Sequence, residues 1–408
     1  MQGGTGPGSF HDYSNSLQRN VNEFFWPKLS RAIATSCSEF KQQQRQLEND
    51  ELDHDVDAAA GAACSFAMAD FGCSCAWSTV NTMRFAARCV VDHHQASCAK
   101  QLLQRRPQLH IQAFFNDVPG NDFNTLFALL SDSCVVDEAT TDAGQQQPHF
   151  MACGVPGSFY SRLFPPAYLH VGLCTLALHN LSQVPAAVKD PASLAWNENG
   201  TWILQGCKPE TAMAYKEQFQ KDFTCFLRHR SQELVPGGLL FCVIIASTID
   251  HDANSTTTLQ ARLDHNHLHT NLQAAWRQLV SEGLLEQESL DAFNFPLFMP
   301  TIDEVKEVVC DDALVSAELE VVEMEYAEVE RAPLHVWMEH AASDAQTWGI
   351  TCETMARNFV GSLIQSHLGL PKFELLMERL RHVAAADGEL LYRTNMMHVI
   401  VLALSRRR

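Results

Sequence analysis

Two acidic positions and one polar pair stand at the mouths of apolar runs, where a fold can place its chemistry. The run "SFAMADFG" ends in Asp70 and Gly72 and continues into "DFGCSCAWST". That stretch is rich in small residues, which let backbone N–H groups approach a ligand, although its glycines do not complete a dinucleotide fingerprint. A second run, "HIQAFFND", ends at Asn116 and Asp117. A carboxylate there can accept both hydroxyls of a ribose, or it can cap a turn; the surrounding "NDVPGNDFNTLF" favours the ribose. Asp122 in the same stretch is expected to cap a helix starting near Phe123. The third candidate is "TLALHNLSQVP", where His179 and Asn180 follow the buried run "YLHVGLC". By residue type alone they are either satisfied polar groups at a corner or donors facing a substrate. The alternating histidines of "HNHLH" (His265, His267 and His269) lie in a polar stretch without nearby Cys, so a solvated loop is expected there, not a metal site. His93 and His94 fall on a helical pattern and read as surface residues.

Such positions need a frame that gathers strand ends. Further strand candidates are "HFMACG", "YLHVGLC" and, after the turn "VPGG", "LLFCVIIAS". Residues 79–105 carry apolar residues at helical spacing. Alternating short apolar strands and helices predict a parallel sheet flanked by helices, an α/β fold. After residue 270 the pattern becomes mostly helical, in "LQAAWRQLVSEGLL", "TIDEVKEVV", "MARNFVGSLIQSHL" and "KFELLMERLRHVAAA". Two β-rich runs, "LVSAELEVVEMEY" and "MMHVIVLAL", can complete the sheet antiparallel. Three polar stretches, residues 41–57, 131–149 and 248–269, read as solvated loops, and no repeat is present.

Composition narrows the class. A chain of 408 residues with 46% hydrophobic residues can bury a large core. A net charge of −19 disfavours non-specific nucleic-acid binding, which needs clustered Lys and Arg; the terminal "SRRR" is too short to reverse that. No apolar run of membrane-spanning length and no secretory leader is present, so no membrane partner and a cytosolic location are expected. The 14 cysteines are scattered through apolar runs and read as reduced, small hydrophobes.

Several long motifs converge. "FFNDVPGNDFNTLF", "GVPGSFYSRLFPPAYLH", "LSQVP", "ELVPGGLLF" and "LDAFNFPLFMPTIDEVKEVV" resemble the SABATH methyltransferases. These use S-adenosylmethionine to methylate small carboxylic acids and, in one branch, xanthine-type ring nitrogens. The resemblance runs from "MQGG" to "HVIVLAL". It implies a Rossmann-like class I methyltransferase core with an α-helical cap. The expected division is a core at 1–270, a mainly helical cap at 271–380 with a strand near 314–326, and a return to the sheet at 381–408. On the cofactor side it implies that Asp70, Gly72 and Cys73 hold the methionine moiety, Asp117 and Val118 the ribose, and Ser158 and Phe159 the adenine. Tyr13 is placed near the sulfonium. Where the family continues the first loop as Ser-Gly-Pro-Asn, this chain has Cys75, Ala76, Trp77 and Ser78, so Ser78 replaces an Asn expected to contact the cofactor.

The acceptor side departs further. The resemblance implies Gln18, or its neighbour Arg19, and His179 as groups reaching the acceptor. A family Trp that helps hold the carboxylate is Asn180 here, and an aromatic three places before His179 is Leu176. The pocket is expected to admit a bulkier or less flat acid. Magnesium ligands in some relatives match Asn197, Asp291, the backbone of Phe293, and Asn294, and oxygen donors suit that ion. The reaction implied is esterification of a small-molecule acid, with N-methylation of a xanthine-like heterocycle or a non-catalytic cofactor-binding relative as alternatives. A homodimer is also expected. A carboxylic acid is already ionised at neutral pH, so no general base is required and the residues only position.

Overall fold

The structure, a computed structural model, describes residues 19–50, 64–99, 109–132, 149–204, 207–247, 267–330, 344–387 and 396–408. Seven strands form one sheet: β1 (Cys64–Phe71), β2 (Leu109–Asp117), β3 (Phe150–Pro156), β4 (Leu169–Thr175), β5 (Leu234–Ile245), β6 (Leu319–Glu330) and β7 (Met396–Arg406). Their spatial order is β3-β2-β1-β4-β5-β7-β6. The first five run parallel, while β7 joins β5 and β6 antiparallel. This is the expected α/β arrangement, with both β-rich runs completing the sheet. The strand order reverses between β1 and β4, and open α/β sheets bind ligands in the crevice at such a switch point.

Helices cover both faces. Near-continuous apolar strands are required for that: along β7, Val399, Val401 and Ala403 enter one buried cluster, and Ile400, Leu402 and Leu404 enter the other. The first face carries α1 (Arg19–Asp50), α2 (Trp77–Ala99) and α3 (Phe123–Asp132), with Trp26 stacked on Phe85 at 4.9 Å. The second face carries α4 (Pro209–Glu233), whose Phe219, Phe223 and Phe226 lie fully inside. Beyond β5 come α5 (His267–Ser281), α6 (Gln287–Asp291), α7 (Ile302–Lys306) and α8 (Ala313–Glu318). After β6 follow α9 (Ala345–Phe359), α10 (Gly361–Leu368) and α11 (Leu370–Ala386). Helices α5, α9 and α11 pack on one another. Gly349 makes the α9–α11 crossing possible, because a Cβ there would stand 2.4 Å from Arg381 O. Glu353 braces the same crossing through Arg357 and Arg381.

Several expectations need correction. Residues 41–50 continue α1 and are not loop, consistent with their strong helix formers Gln, Arg and Glu. The "VPGG" turn lies inside β5, where Gly237 takes φ +77°. The helix placed after residue 270 begins at His267, so His269 is helical and buried, not part of a solvated loop. "MARNFVGSLIQSHL" is interrupted at Val360, and "LVSAE" is mostly the helix α8 ahead of β6.

Candidate active site

The carboxyl ends of β1 to β4 converge on the switch point. After β1, Gly72 adopts φ +77°, and its N–H and that of Cys73 donate to Asn116 O at 2.8 and 2.9 Å. A Cβ on Gly72 would lie 2.5 Å from Ala177 Cβ, just beyond β4, so only glycine lets the two loops meet. Asp117, half-buried at the end of β2, accepts from Ser74 N at 2.7 Å through Oδ2 and from Val118 N at 2.8 Å through Oδ1. Asn116 is fully buried and its Nδ2 donates to Val155 O and Gly157 O, tying β2 to the end of β3. Asp122 does cap α3, accepting from Thr125 N at 3.0 Å.

Asp70 is the charged centre of this end. It is 1% exposed, receives the Thr79 hydroxyl on Oδ2, and leaves Oδ1 without a partner among the described residues. Burial, with a smaller push from Asp117, raises its carboxyl from the ordinary range to about 7. Burial also raises Asp117 and the Cys73 thiol. A buried acid with an open oxygen suits an ammonium group, because a cation beside it returns the carboxylate to its charged form. Cys73 is buried next to it, and Ser78 is half-buried in the first turn of α2. Val118 is exposed. Ser158 is exposed and Phe159 half-buried, with the Phe159 ring edge 3.3 Å from the same hypothetical Gly72 Cβ.

The acceptor-side candidates form a second group. Leu176 has φ +55° and donates its N–H to Val243 O at 2.7 Å, which turns the chain sharply after β4. Residues 179–181 then run against 296–298: Leu181 N donates to Pro296 O, Phe298 N to His179 O, and Asn180 bridges Leu297. Asn180 folds its amide back, Nδ2 donating to Ala177 O at 2.9 Å, while its carbonyl accepts the Tyr160 hydroxyl at 2.6 Å. His179 has a buried Nδ1 without a partner among the described residues, and burial lowers its imidazole to about 4. His269, missed as a site residue, joins it from α5. Its ring packs 4.8 Å from Trp202 and 5.1 Å from Phe295, its Nε2 is buried without a partner among the described residues, and burial together with His179 lowers it to about 4.

Tyr13 and Gln18 lie outside the described residues, as does His265, while Arg19 begins α1. Asn197, Asp291, Phe293 and Asn294 do come together, but through their own hydrogen bonds. Asn197 Nδ2 donates to Asn294 Oδ1 at 2.7 Å and to Trp202 O at 3.1 Å. Asp291 Oδ1 accepts from Asn199 N and Gln287 Nε2. Asp291 is the one carboxylate of the four, and its Oδ1 and the Asn294 oxygen already accept these bonds, so the residues are held as a hydrogen-bonded corner. Among the described residues no cluster of three or more His, Cys, Asp or Glu could hold a metal. No helix among them is long and apolar enough to cross a membrane.

Comparison with known proteins follows the same lines. Residues 42–407 match the family described as SAM dependent carboxyl methyltransferase. The chain is 34% identical over 349 residues to indole-3-acetate O-methyltransferase 1 of Oryza sativa subsp. japonica, covering 82% of this chain and 80% of that one. It is 31% identical over 333 residues to gibberellic acid methyltransferase 1 of Arabidopsis thaliana, covering 81% and 82%. Among solved structures, loganic acid methyltransferase with SAH superposes with a TM-score of 0.72 at 25% identity, covering 100% of this chain and 99% of that one.

Proposed function

The chain belongs to the SAM-dependent carboxyl methyltransferases, and from that premise we propose that its acceptor is a small acid with a bulky, weakly planar carbon frame. Its reaction is transfer of a methyl group from S-adenosylmethionine to a carboxylate, giving a methyl ester. The observation that carries the substrate class is Asn180. It is a short residue, held against Ala177 O, where a large ring would narrow the corner. The relatives named for gibberellic, loganic and indole-3-acetic acids agree with an acceptor larger than benzoate.

When bound, S-adenosylmethionine supplies a methyl made electrophilic by its sulfonium. Asp70 would hold the cofactor's ammonium through its open Oδ1, with the Gly72 and Cys73 backbone lying alongside. Asp117 would take the ribose hydroxyls; its two oxygens keep lone pairs beyond those used by Ser74 N and Val118 N. Phe159 and Ser158 would receive the adenine. His179 and His269 stay neutral at pH 7 and offer ring N–H groups to an acid that is already ionised. They orient its oxygen towards the methyl without moving a proton, and the surrounding rings of Trp202 and Phe295 exclude water. No step is routed through magnesium. The described cysteines are free thiols, which supports a reducing, cytosolic setting. We also propose a homodimer, which light scattering on the pure protein measures.

The test is calorimetry with S-adenosylhomocysteine, followed by labelled-methyl transfer to gibberellic, loganic, indole-3-acetic and benzoic acids and to a xanthine. The expected result is binding, with base-labile label on the bulky acids ahead of benzoate. Label confined to xanthine ring nitrogens, or to benzoate, overturns the substrate class.

A further inference from the structure

A buried ion pair on α4 holds the loop assigned to the adenine, and the transfer chemistry does not use it. Arg230 is fully buried and donates from Nη1 to Phe159 O at 3.0 Å and from Nη2 to Ser161 O at 2.9 Å. Its guanidinium lies 4.2 Å from the centre of the Phe71 ring, under the end of β1. Glu233, one turn further and equally buried, accepts Leu163 N at 2.6 Å and Phe164 N at 3.0 Å, and stands 2.9 Å from Arg230 Nε. The main-chain partners of the pair thus all lie within residues 159–164.

Stability alone does not account for the arrangement. Burying two charges costs several kcal/mol per ion, and well-packed apolar substitutes are often as stable. What the pair provides is position. A planar guanidinium can engage two carbonyls and a carboxylate at fixed angles, which an ammonium cannot. We infer that Arg230 and Glu233 are positioning residues that set the 158–164 loop so that it distinguishes adenine from a purine lacking the exocyclic amino group; this rests on the assignment of Ser158 and Phe159 given above. A site built to hydrogen-bond a group rejects the analogue without it, provided its partners are held in register.

The same helix supplies a control. Asp222, two turns before Arg230, accepts Ser182 N at 2.8 Å and Ser182 Oγ at 2.7 Å, anchoring the acceptor corner and not the adenine loop. The experiment measures, by calorimetry on the full-length protein, affinities for S-adenosylhomocysteine and S-inosylhomocysteine in the unmodified protein and in Arg230→Lys, Glu233→Gln and Asp222→Asn. Melting temperatures are recorded alongside. The unmodified protein should prefer the adenosyl ligand by about tenfold or more. Arg230→Lys should cut that preference to about twofold and Glu233→Gln to an intermediate value. Asp222→Asn should keep the full preference even if its melting temperature falls. Folded Arg230→Lys and Glu233→Gln proteins with an unchanged preference overturn the inference, and Glu233→Gln decides alone if Arg230→Lys does not fold. An unmodified protein that binds both ligands equally overturns it too, while leaving the site assignment intact. One that binds neither overturns the assignment itself.

Discussion

The two ends of the candidate site are built from opposite electrostatics. The β1–β2 end holds two carboxylates whose ionised form burial disfavours, Asp70 most strongly. The β4 corner holds two imidazoles whose protonated form burial disfavours, His179 and His269. Burial thus opposes charge at both ends, raising the carboxyls at one and lowering the imidazoles at the other. A cation at the first end restores Asp70 to carboxylate. An anion at the second meets donors that carry no charge of their own and leave no proton to be transferred. On the proposed assignment of the two ends, the difference teaches how a carboxyl methyltransferase can do without an acid–base pair: the reactants would bring the charges, and the protein would supply two separated environments for them.

The largest way to break that contrast is Asp70→Asn. Loss of a charge-assisted contact to the cofactor's ammonium should weaken S-adenosylhomocysteine binding by roughly 10- to 100-fold in calorimetry. Stability should move the other way. With the folded carboxyl at about 7 and the ordinary value at 3.8, the folded protein keeps a proton that the unfolded chain has released between those pH values. The unfolded state binds fewer protons there, so this group lowers stability as pH rises through the window. Asp70→Asn should accordingly melt higher than the unmodified protein at pH 8, with the gap closing towards pH 4. A lower melting temperature at pH 8 would show that the buried charge is compensated by something other than its ligand.

How much of this is legible in the chain follows the same division. Asp70, Gly72 and Asp117 lie at or just past the ends of apolar strands, and the turn from apolar and aromatic residues to Asp and Gly marks the carboxyl edge of a parallel sheet. His269 carries no such mark. It sits after a polar run, and only its packing against Trp202 and Phe295, from distant parts of the chain, buries it. Arg230 and Glu233 carry no local mark either: nothing in "LRHRSQE" signals burial, which depends on backbone groups some 70 residues earlier. Residues 41–50 form helix rather than the expected loop because polarity marks solvent exposure and not loop, and Gln, Glu and Arg are good helix formers. Local sequence reports strand ends well, and it reports groups that are buried by partners far along the chain poorly.

The acceptor end is probed by His269→Phe, which keeps a ring against Trp202 and Phe295 and removes Nε2. The KM for the best acid in the transfer assay should rise about three- to tenfold, the loss expected for one hydrogen bond, with S-adenosylhomocysteine affinity unchanged. A change in cofactor affinity instead would mean that the two ends are not separable. The pH dependence sharpens the contrast. Imidazoles at about 4 in the folded state and 6.5 ordinarily leave the unfolded chain with more protons in between, so this pair raises stability as pH climbs through that window. The slope is opposite to that of Asp70. Removing His269 should therefore flatten the rise in melting temperature between pH 4 and 6.5, while Asp70→Asn should steepen it.

The smallest effect belongs to Asn180→Trp. The residue is exposed, and its amide is satisfied by Ala177 O, so its replacement buries little and should change the melting temperature by no more than the shift of an ordinary surface substitution, within about 0.5 kcal/mol. Its main-chain contacts, the Tyr160 hydroxyl on its carbonyl and the bridge to Leu297, do not depend on side-chain identity. What changes is space: an indole at the corner adds a flat wall and one N–H donor where a short amide stood. Competition between gibberellic and benzoic acids should shift towards benzoate by a few-fold, with S-adenosylhomocysteine affinity held. An unchanged ratio would show that the Asn180 side chain faces away from the acceptor. The selectivity of the corner would then rest on the two imidazoles and the rings that bury them.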